Sequence, residues 1–373
     1  MQTIDPNISI NAGKFQLNGI NQFDITVLLG EVGIDWDSIK KKFITDSSLF
    51  EELLFKVHYK RKKSLEAGQR TKVLNFLSIG YLATDDIRYF NELLWFYKEN
   101  NVDKVLMDAC MARFNANLDE NKCHKKPAQL NNFPADISGS DLSKVEYKNT
   151  TPLRIGLVGF PPFFGTITKK LKKEGHHVEQ FFLPHHPNKH INRFLKFGLP
   201  VKILSLLAGN FYAYRTLNFD YKDKKIGEVL KAGNFDIGFH KLNFIIKENI
   251  FGAFDKGLIN DHWGYLPQLR GKSTIAYSAL LNVPVIPTMH FIDKGIDSGS
   301  IVGYYPCDYS KAKSVDEIRK ILRKKLPERT VAAIKYAGSN SFIPRENKME
   351  AGITFYEIHP WLSSHIDLNI LKQ

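Results

Sequence analysis

Short apolar runs alternate with helical segments from Leu153 onwards, and this alternation constrains the fold more than any other feature of the chain. The segments follow one another in the order 153–159 (strand), 166–174 (helix), 177–183 (strand), 222–231 (helix), 235–240 (strand), 247–254 (helix) and 257–260 (strand). Strands and helices in alternation predict an α/β fold with a parallel sheet. In such a sheet, ligands bind beyond the carboxyl ends of the strands.

Polar residues capable of acid–base chemistry follow the last of these predicted strands. Asn260 and His262 stand at its end, and Asp297 lies in a later glycine-rich turn. Histidine titrates near neutrality, so His262 could accept a proton, and Asp297 could orient the imidazole and stabilise its charged form. Asn260 could donate a hydrogen bond to a developing oxyanion. Taken singly, His262 would read as a structural histidine and Asp297 as a turn cap.

Two motifs with fixed spacings surround these residues. The first motif consists of Asn260, His262, Leu266, Pro267, Arg270 and Gly271. The second consists of His290, of Asp297 in a glycine-rich turn, and of Gly299.

Together these motifs resemble those of the formyltetrahydrofolate-dependent formyltransferases, Asn-x-His-x-x-x-Leu-Pro-x-x-Arg-Gly followed by His and then Asp-x-Gly. The resemblance covers residues 153–305 and is greatest to the sugar-nucleotide N-formyltransferases. Methionyl-tRNA formyltransferase and glycinamide ribonucleotide transformylase belong to the same family.

The resemblance implies a fold and an activity. The expected fold is a Rossmann-like formyltransferase domain with a mostly parallel sheet. The expected reaction moves a formyl group from N10-formyltetrahydrofolate to a primary amine and requires no metal. His262 would accept the amine proton directly or through water. Asn260 and protonated His262 would hold the oxyanion, and Asp297 would orient His262.

The resemblance also implies where the ligands bind. The folate pterin would lie between a loop and a turn. The loop consists of Leu242, Asn243, Phe244, Ile245 and Ile246, and the turn consists of Ile292, Asp293, Lys294 and Gly295. We assign the amine acceptor to Arg270, Gly271 and Lys272. Arg270 either binds an anionic group or braces the loop after Pro267.

The acceptor that we favour is a nucleotide-linked amino sugar. Another amine, such as methionyl-tRNA or an amino acid derivative, is the alternative within the class. The alternative from another class is a non-catalytic folate- or nucleotide-binding protein of the same fold. Trp263 stands where the family has a small residue, and the turn from Gly159 to Gly165 is bulkier than the family's. Both departures bear on the acceptor.

Composition narrows the class of protein. The 373 residues suffice for two domains, and 43 % hydrophobic with 24 % charged residues is ordinary for a globular protein. We expect no membrane span, no secretory signal and, with three scattered cysteines, a cytoplasmic location. The net charge of +13 fits either a lysine-rich proteome or an anionic substrate. The lysine runs are scattered along the chain, so they do not indicate nucleic acid as the binding partner.

The chain divides into four parts on its composition. The periodicity of residues 1–120 predicts a helical accessory domain with helices over 36–43, 48–66, 69–82, 85–99 and 102–114. We expect this domain to contact the acceptor or another subunit, as in a homodimer. Residues 121–150 read as a linker. The catalytic domain is expected over 151–340. A strand and a helix beginning near Pro360 form an extension over 341–373, too short for a β-barrel domain.

Overall fold

The computed structural model describes most of the chain from residue 47 onwards. The described residues are 14–15, 23–24, 47–60, 67–97, 104–118, 123–124, 126–127, 130, 137, 140–145, 151–184, 199–219, 223–242, 244–364 and 366. The helix predicted over 36–43 and most of the predicted linker lie outside these residues. A pair of two-residue strands, β1 (Lys14–Phe15) and β2 (Phe23–Asp24), precedes the helices.

The N-terminal part is helical, as the periodicity predicts. Its helices are α1 (Ser47–Lys60), α2 (Ala67–Thr84), α3 (Ile87–Tyr97) and α4 (Lys104–Ala116).

The second part is an α/β sheet, and the predicted fold class is confirmed. Its strands are β3 (Arg154–Gly159), β4 (His177–Phe182), β5 (Arg215–Thr216), β6 (Ile237–Lys241), β7 (Leu258–His262), β9 (Thr288–Phe291) and β10 (Ile301–Tyr304), and β8 (Leu269–Gly271) lies outside the sheet. Its order is β10-β9-β7-β6-β3-β4-β5. The five strands from β7 to β5 are parallel, whereas β9 and β10 extend the sheet antiparallel.

Helices cover both faces of this sheet. They are α5 (Gly165–Lys173), α6 (Leu199–Leu207), α7 (Lys225–Lys231), α8 (Glu248–Phe251), α9 (Thr274–Leu280) and α10 (Val315–Gly338). Apolar residues of α5 and α10 share one buried cluster with β3, β6 and β9, and those of α7 and α8 form another on the opposite face. Because β3 lies in the middle and is covered on both sides, it reads as a continuous apolar run.

The longest helix, α10, was not predicted, although its start carries a clear signal. Ser314 caps the helix by accepting a hydrogen bond from the Glu317 amide at 3.1 Å, and Glu317 accepts one from the Lys313 amide at 2.7 Å. The pair resembles a capping box, with the amide before the N-cap residue as the second donor, and acidic residues in the first turn also favour the helix dipole. Pro327 lies within the helix, where it removes one backbone hydrogen bond without ending it. In the described ranges, no helix combines the length and the apolarity that a membrane span needs.

The tail contains the strand and helix that the sequence predicts. These are β11 (Ile353–Phe355), paired in parallel with β8, and α11 (Pro360–Ser364). The tail also forms hydrogen bonds with helix α3 of the N-terminal part. The Trp95 indole donates to the Glu357 carbonyl at 3.1 Å, and the His359 amide donates to Asn91 Oδ1 at 2.7 Å.

One apolar core joins the N-terminal helices to the α/β part. Buried residues of α1, α2, α3 and α4 share this core with Tyr277 of α9 and with Phe355, whose rings lie 4.5 Å apart between centroids. Among the described residues, the predicted division near residue 120 therefore coincides with no break in the packing, and the accessory role of the helices stays a prediction.

We expect Phe355→Ala to lower the free energy of unfolding by about 3–5 kcal/mol, because it removes a buried ring from this shared core. A single thermal transition should move to lower temperature by calorimetry, with both parts unfolding together. Ile343→Ala, at an exposed position, is the control and should leave the transition unchanged. Two transitions, of which only one shifts, would contradict a shared core.

Candidate functional site

The site begins on β7, where successive side chains point to opposite faces of the sheet. Asn260 and His262 share one face, and Asp261 between them faces α10. Strand β7 is parallel to β6 and antiparallel to β9, so Asn260 pairs with His290, and the turn after β9 folds back to bring Asp297 beside His262.

His262 is buried and has an acceptor at each ring nitrogen. Nε2 lies 2.6 Å from the Leu269 carbonyl oxygen, and Nδ1 lies 3.3 Å from Asp297 Oδ2. Because a carbonyl only accepts, Nε2 carries the hydrogen of the neutral ring. Nδ1 is therefore the basic nitrogen, and a proton taken there faces the Asp297 carboxylate.

Asp297 is held by two hydrogen bonds, one to its carboxylate and one to its backbone carbonyl. Its Oδ2 accepts a hydrogen bond from the Gly271 amide at 2.8 Å, and its carbonyl accepts one from Asn347 Nδ2 at 2.8 Å. Its φ of 48° lies in the left-handed region, which aspartate tolerates better than most residues. The turn thus holds the carboxylate against His262.

Asn260 contacts the second histidine of the motif. The His290 Nδ1–H donates to the Phe291 carbonyl at 2.7 Å, which leaves Nε2 to accept from Asn260 Nδ2 at 3.1 Å. His290 Nε2 also lies 3.5 Å from Asp297 Oδ1. An amide nitrogen has two hydrogens, so Asn260 keeps a second donor.

Burial and charge act in opposite directions on the central pair. Burial lowers the pKa of His262, and the Asp297 carboxylate opposes that effect without reversing it. Burial alone would raise the pKa of Asp297, but His262, His290 and the Gly271 amide hold it well below its usual range. The pair therefore favours a neutral imidazole beside an ionised carboxylate.

Glycine is required at position 271. Its φ is 91°, and a Cβ there would lie 2.1 Å from the Phe355 carbonyl oxygen. Only glycine allows β8 to approach β11 this closely while its amide reaches Asp297.

A buried ion-pair network lies on the other face of β7, and the sequence reading missed it. The Arg329 Nε and Nη2 atoms donate to the two Asp261 oxygens at 2.6 and 2.8 Å, and both side chains are fully buried. Lys241 Nζ and the Trp263 indole donate to Asp261 Oδ2 at 2.9 and 2.7 Å. Arg329 and Lys241 hold the pKa of Asp261 far below its usual range despite its burial.

Trp263 separates two cavities at this end of the sheet. One has a volume of about 260 Å³ and lies beside His262, where Gly271, Thr274 and Arg319 also line it. The other has a volume of about 390 Å³ and is mostly apolar. Its lining includes Phe160, Phe163, Phe182, Leu242, Phe244 and Leu326, with Lys241 and Arg323 as the cations.

The loop and the turn assigned to the pterin lie side by side. The side chains of Leu242, Phe244 and Ile292 pack against one apolar cluster that also contains Ile246. Lys294 and Glu248 form an exposed ion pair of 3.2 Å between the two segments. Further predicted residues are exposed, namely Ile245, Asp293, Lys294 and Gly295, whereas Asn243 lies outside the described residues.

The residues assigned to the acceptor have different surroundings. Arg270 is buried and donates to the carbonyls of Pro267 and Gly352 at 3.1 and 2.9 Å, so its guanidinium braces the backbone here. Gly271 lines the cavity beside His262, and Lys272 is exposed.

Two other sequence features, the turn after β3 and a histidine-rich stretch over residues 176–190, lie outside the contacts of His262 and Asp297, although Phe160 and Phe163 of the turn line the apolar cavity. The turn after β3 forms a 3₁₀ helix, Pro161–Phe163, and α5 follows it. In the histidine-rich stretch, His176 accepts a hydrogen bond from the Leu153 amide at 3.1 Å and His177 is exposed, while the histidines at positions 185, 186 and 190 lie outside the described part. Across the described ranges, no three histidine, cysteine, aspartate or glutamate side chains are grouped to hold a metal ion.

The chain is similar in part to solved structures of low sequence identity. A 4-N formyltransferase from Francisella tularensis is 18 % identical, with 58 % of this chain and 87 % of that chain covered and a TM-score of 0.42. PseJ from Anoxybacillus kamchatkensis, solved with UDP-4,6-dideoxy-4-formamido-L-AltNAc and tetrahydrofolate, is 18 % identical, with coverage of 59 % and 100 % and a TM-score of 0.35.

HypX from Aquifex aeolicus is 13 % identical, with 57 % of this chain covered and a TM-score of 0.39. The chain spans only 31 % of the length of HypX. No family model and no curated protein matches the sequence.

We expect Asp261→Asn to lower the free energy of unfolding by about 3–5 kcal/mol, because it leaves Arg329 buried without its charge partner. Urea denaturation followed by circular dichroism measures the change. The control is Glu346→Gln, which breaks the exposed Lys348–Glu346 pair and should leave stability nearly unchanged. Equal effects of the two substitutions would contradict the role given to burial.

Proposed function

We propose that the chain is an N-formyltransferase that moves a formyl group from N10-formyltetrahydrofolate to a primary amine. One observation carries this proposal: His262, Asp297, Asn260 and His290 lie in contact at the carboxyl end of β7. A basic nitrogen, a carboxylate that stabilises its protonated form and an amide donor are the groups that acyl transfer to an amine needs.

The side chains divide the proton chemistry between them. The attacking amine is neutral and loses a proton as its nitrogen bonds to the formyl carbon. His262 Nδ1 takes that proton, and Asp297 stabilises the resulting imidazolium, while the Leu269 carbonyl keeps Nε2 protonated. The second Asn260 amide hydrogen donates to the oxyanion. The folate supplies the formyl group and receives a proton at N10 when the bond from N10 to the formyl carbon breaks.

We place the folate pterin between the Leu242–Ile246 loop and the turn that begins at Ile292. Leu242, Phe244 and Ile292 are partly buried apolar side chains that offer walls to the faces of a flat ring. Leu242 and Phe244 also line the apolar cavity of about 390 Å³, which extends this surface toward Phe160.

The acceptor that we propose is a nucleotide-linked amino sugar. It would reach His262 through the cavity of about 260 Å³, where Arg319 supplies a cation and Thr274 a hydroxyl. A net charge of +13 also favours an anionic acceptor. Methionyl-tRNA or an amino acid derivative is the alternative within the same chemistry.

The N-terminal helices take no part in the chemistry of this proposal. Their charged residues Glu51 and Arg88 nevertheless act on Arg270, whose pKa burial lowers and Glu51 raises. Because Arg270 braces the loop beside Gly271, we propose that the helices help shape the acceptor side of the site.

Mixing the protein with 10-formyltetrahydrofolate and a panel of amines tests the activity directly. We expect tetrahydrofolate release that depends on the amine, and release that is greatest with an amino sugar on a nucleotide. His262→Ala and Asp297→Ala should each lower kcat by about 10²–10⁴ while the chain stays folded. His177→Ala, which replaces an exposed histidine on β4, is the control. Normal turnover by folded His262→Ala would rule out the assigned base.

The pH dependence of turnover separates the roles of His262 and Asp297. Because burial lowers the pKa of His262, the acid limb of kcat should fall below the usual histidine value of about 6.5. Asp297→Asn removes the charge that stabilises the imidazolium, so the pKa of His262 should drop further. Its residual activity should therefore have an acid limb at lower pH, measured by single-turnover rates. A limb that moves upward would contradict this coupling.

A further inference from the structure

A group of exposed apolar side chains lies on and after helix α6, and we call it the α6 face. It consists of Ile203, Leu204, Leu206, Leu207 and Phe211. Leu207 is 80 % exposed and Phe211 77 %. Apolar side chains scattered singly are normal on a protein surface, but a contiguous group marks an interaction site.

The orientation of α6 explains why these residues are exposed. Val201 and Ser205, four residues apart on one side of the helix, are buried. The backbone beyond α6 is anchored, since Asn210 donates to the Pro161 carbonyl at 2.7 Å and accepts from Gln180 Nε2 at 3.3 Å. The helix is thus fixed to the domain by its small contact side and presents its larger apolar side outward.

Basic side chains border the α6 face. Lys172 Nζ lies over the Tyr212 ring, 5.3 Å from its centroid, next to Phe211. Lys169 and Lys173 lie near Lys172 on the same side of α5, and Lys202 lies on α6 itself. All four lysines are exposed, and among the described residues no ion pair joins them to a carboxylate.

We propose that the α6 face docks the protein on an anionic phospholipid membrane surface. Leucine, isoleucine and phenylalanine side chains would enter the boundary between headgroups and acyl chains, and the four lysines would meet the anionic headgroups. Charge selects this occupant over a second copy of the chain. A symmetric pair would bring the same lysines together, in a protein whose net charge is already +13.

The α6 face also adjoins the proposed active site. Helix α6 packs on the Pro161–Phe163 turn, and Phe163 is itself 45 % exposed and lines the apolar cavity. Docking would therefore place the mouth of that cavity near the membrane surface. The docking itself is independent of formyl transfer, so either proposal can fail alone.

Vesicle flotation of the full chain tests the proposal. The probes are vesicles of phosphatidylcholine alone and vesicles in which phosphatidylglycerol replaces about a third of it. We expect binding to the anionic vesicles only, weakened by salt through screening of the lysines. The double variant Leu207→Ser with Phe211→Ser should lower the partition coefficient about tenfold or more. Lys169→Gln and Lys172→Gln should each lower it several-fold, as expected for one basic residue at a charged surface.

Matched controls distinguish docking through the α6 face from non-specific hydrophobic adsorption and from a general effect of positive charge. Ile343→Ser removes an apolar side chain that is 77 % exposed, as Phe211 is, but lies elsewhere, and should bind vesicles normally. Lys324→Gln removes an exposed lysine of α10 and should also bind normally. Absence of vesicle binding by the wild-type chain would overturn the proposal. So would a dimer, seen by light scattering, that dissociates in the double variant while vesicles are not bound.

Discussion

The buried pair of Asp261 with Arg329 is the interaction on which the arrangement of the site depends. A carboxylate removed from water needs partners for its charge, and here Arg329, Lys241 and the Trp263 indole provide them. Asp261 lies between Asn260 and His262 on β7. The contacts of Asp261 on the α10 side of the sheet therefore also fix the backbone positions of its two neighbours, whose side chains point to the opposite side. The same contacts hold Trp263 between the two cavities. One buried carboxylate thus connects helix α10, strand β7 and a wall of both cavities.

The parts of the fold that repeat along the chain could be predicted from the sequence, and those that depend on distant partners could not. The apolar runs that became β3, β4, β6 and β7 were recognisable because central parallel strands are apolar on both faces. Strands β9 and β10 were not predicted, because each has only four residues and so leaves a short pattern in the sequence. Helix α10 was missed although its capping box at Ser314 was readable, and Pro327 obscured its length.

The candidate site shows the same division. The fixed spacing of Asn260, His262 and Asp297 indicated a common site, but not that β9 runs antiparallel to β7 and that its turn folds back onto His262. Arg329 lies 68 positions from Asp261, and nothing in its local sequence, a charged stretch of α10, distinguishes it from a solvated arginine. The contact of His262 with the Leu269 carbonyl was also out of reach, because backbone groups leave no signature in a sequence.

That carbonyl decides which atom of His262 can act. With Nε2–H committed to Leu269, the neutral ring has its lone pair on Nδ1, opposite the Asp297 carboxylate. Burial disfavours the charged ring, so the imidazole is neutral in the resting state. A proton that binds to Nδ1 then has the Asp297 carboxylate as its partner. Asp297 therefore contributes little to the neutral ring and much to the protonated one. An interaction that strengthens only as charge develops lowers the barrier rather than tightening the resting state, and this is what the base role proposed for His262 requires.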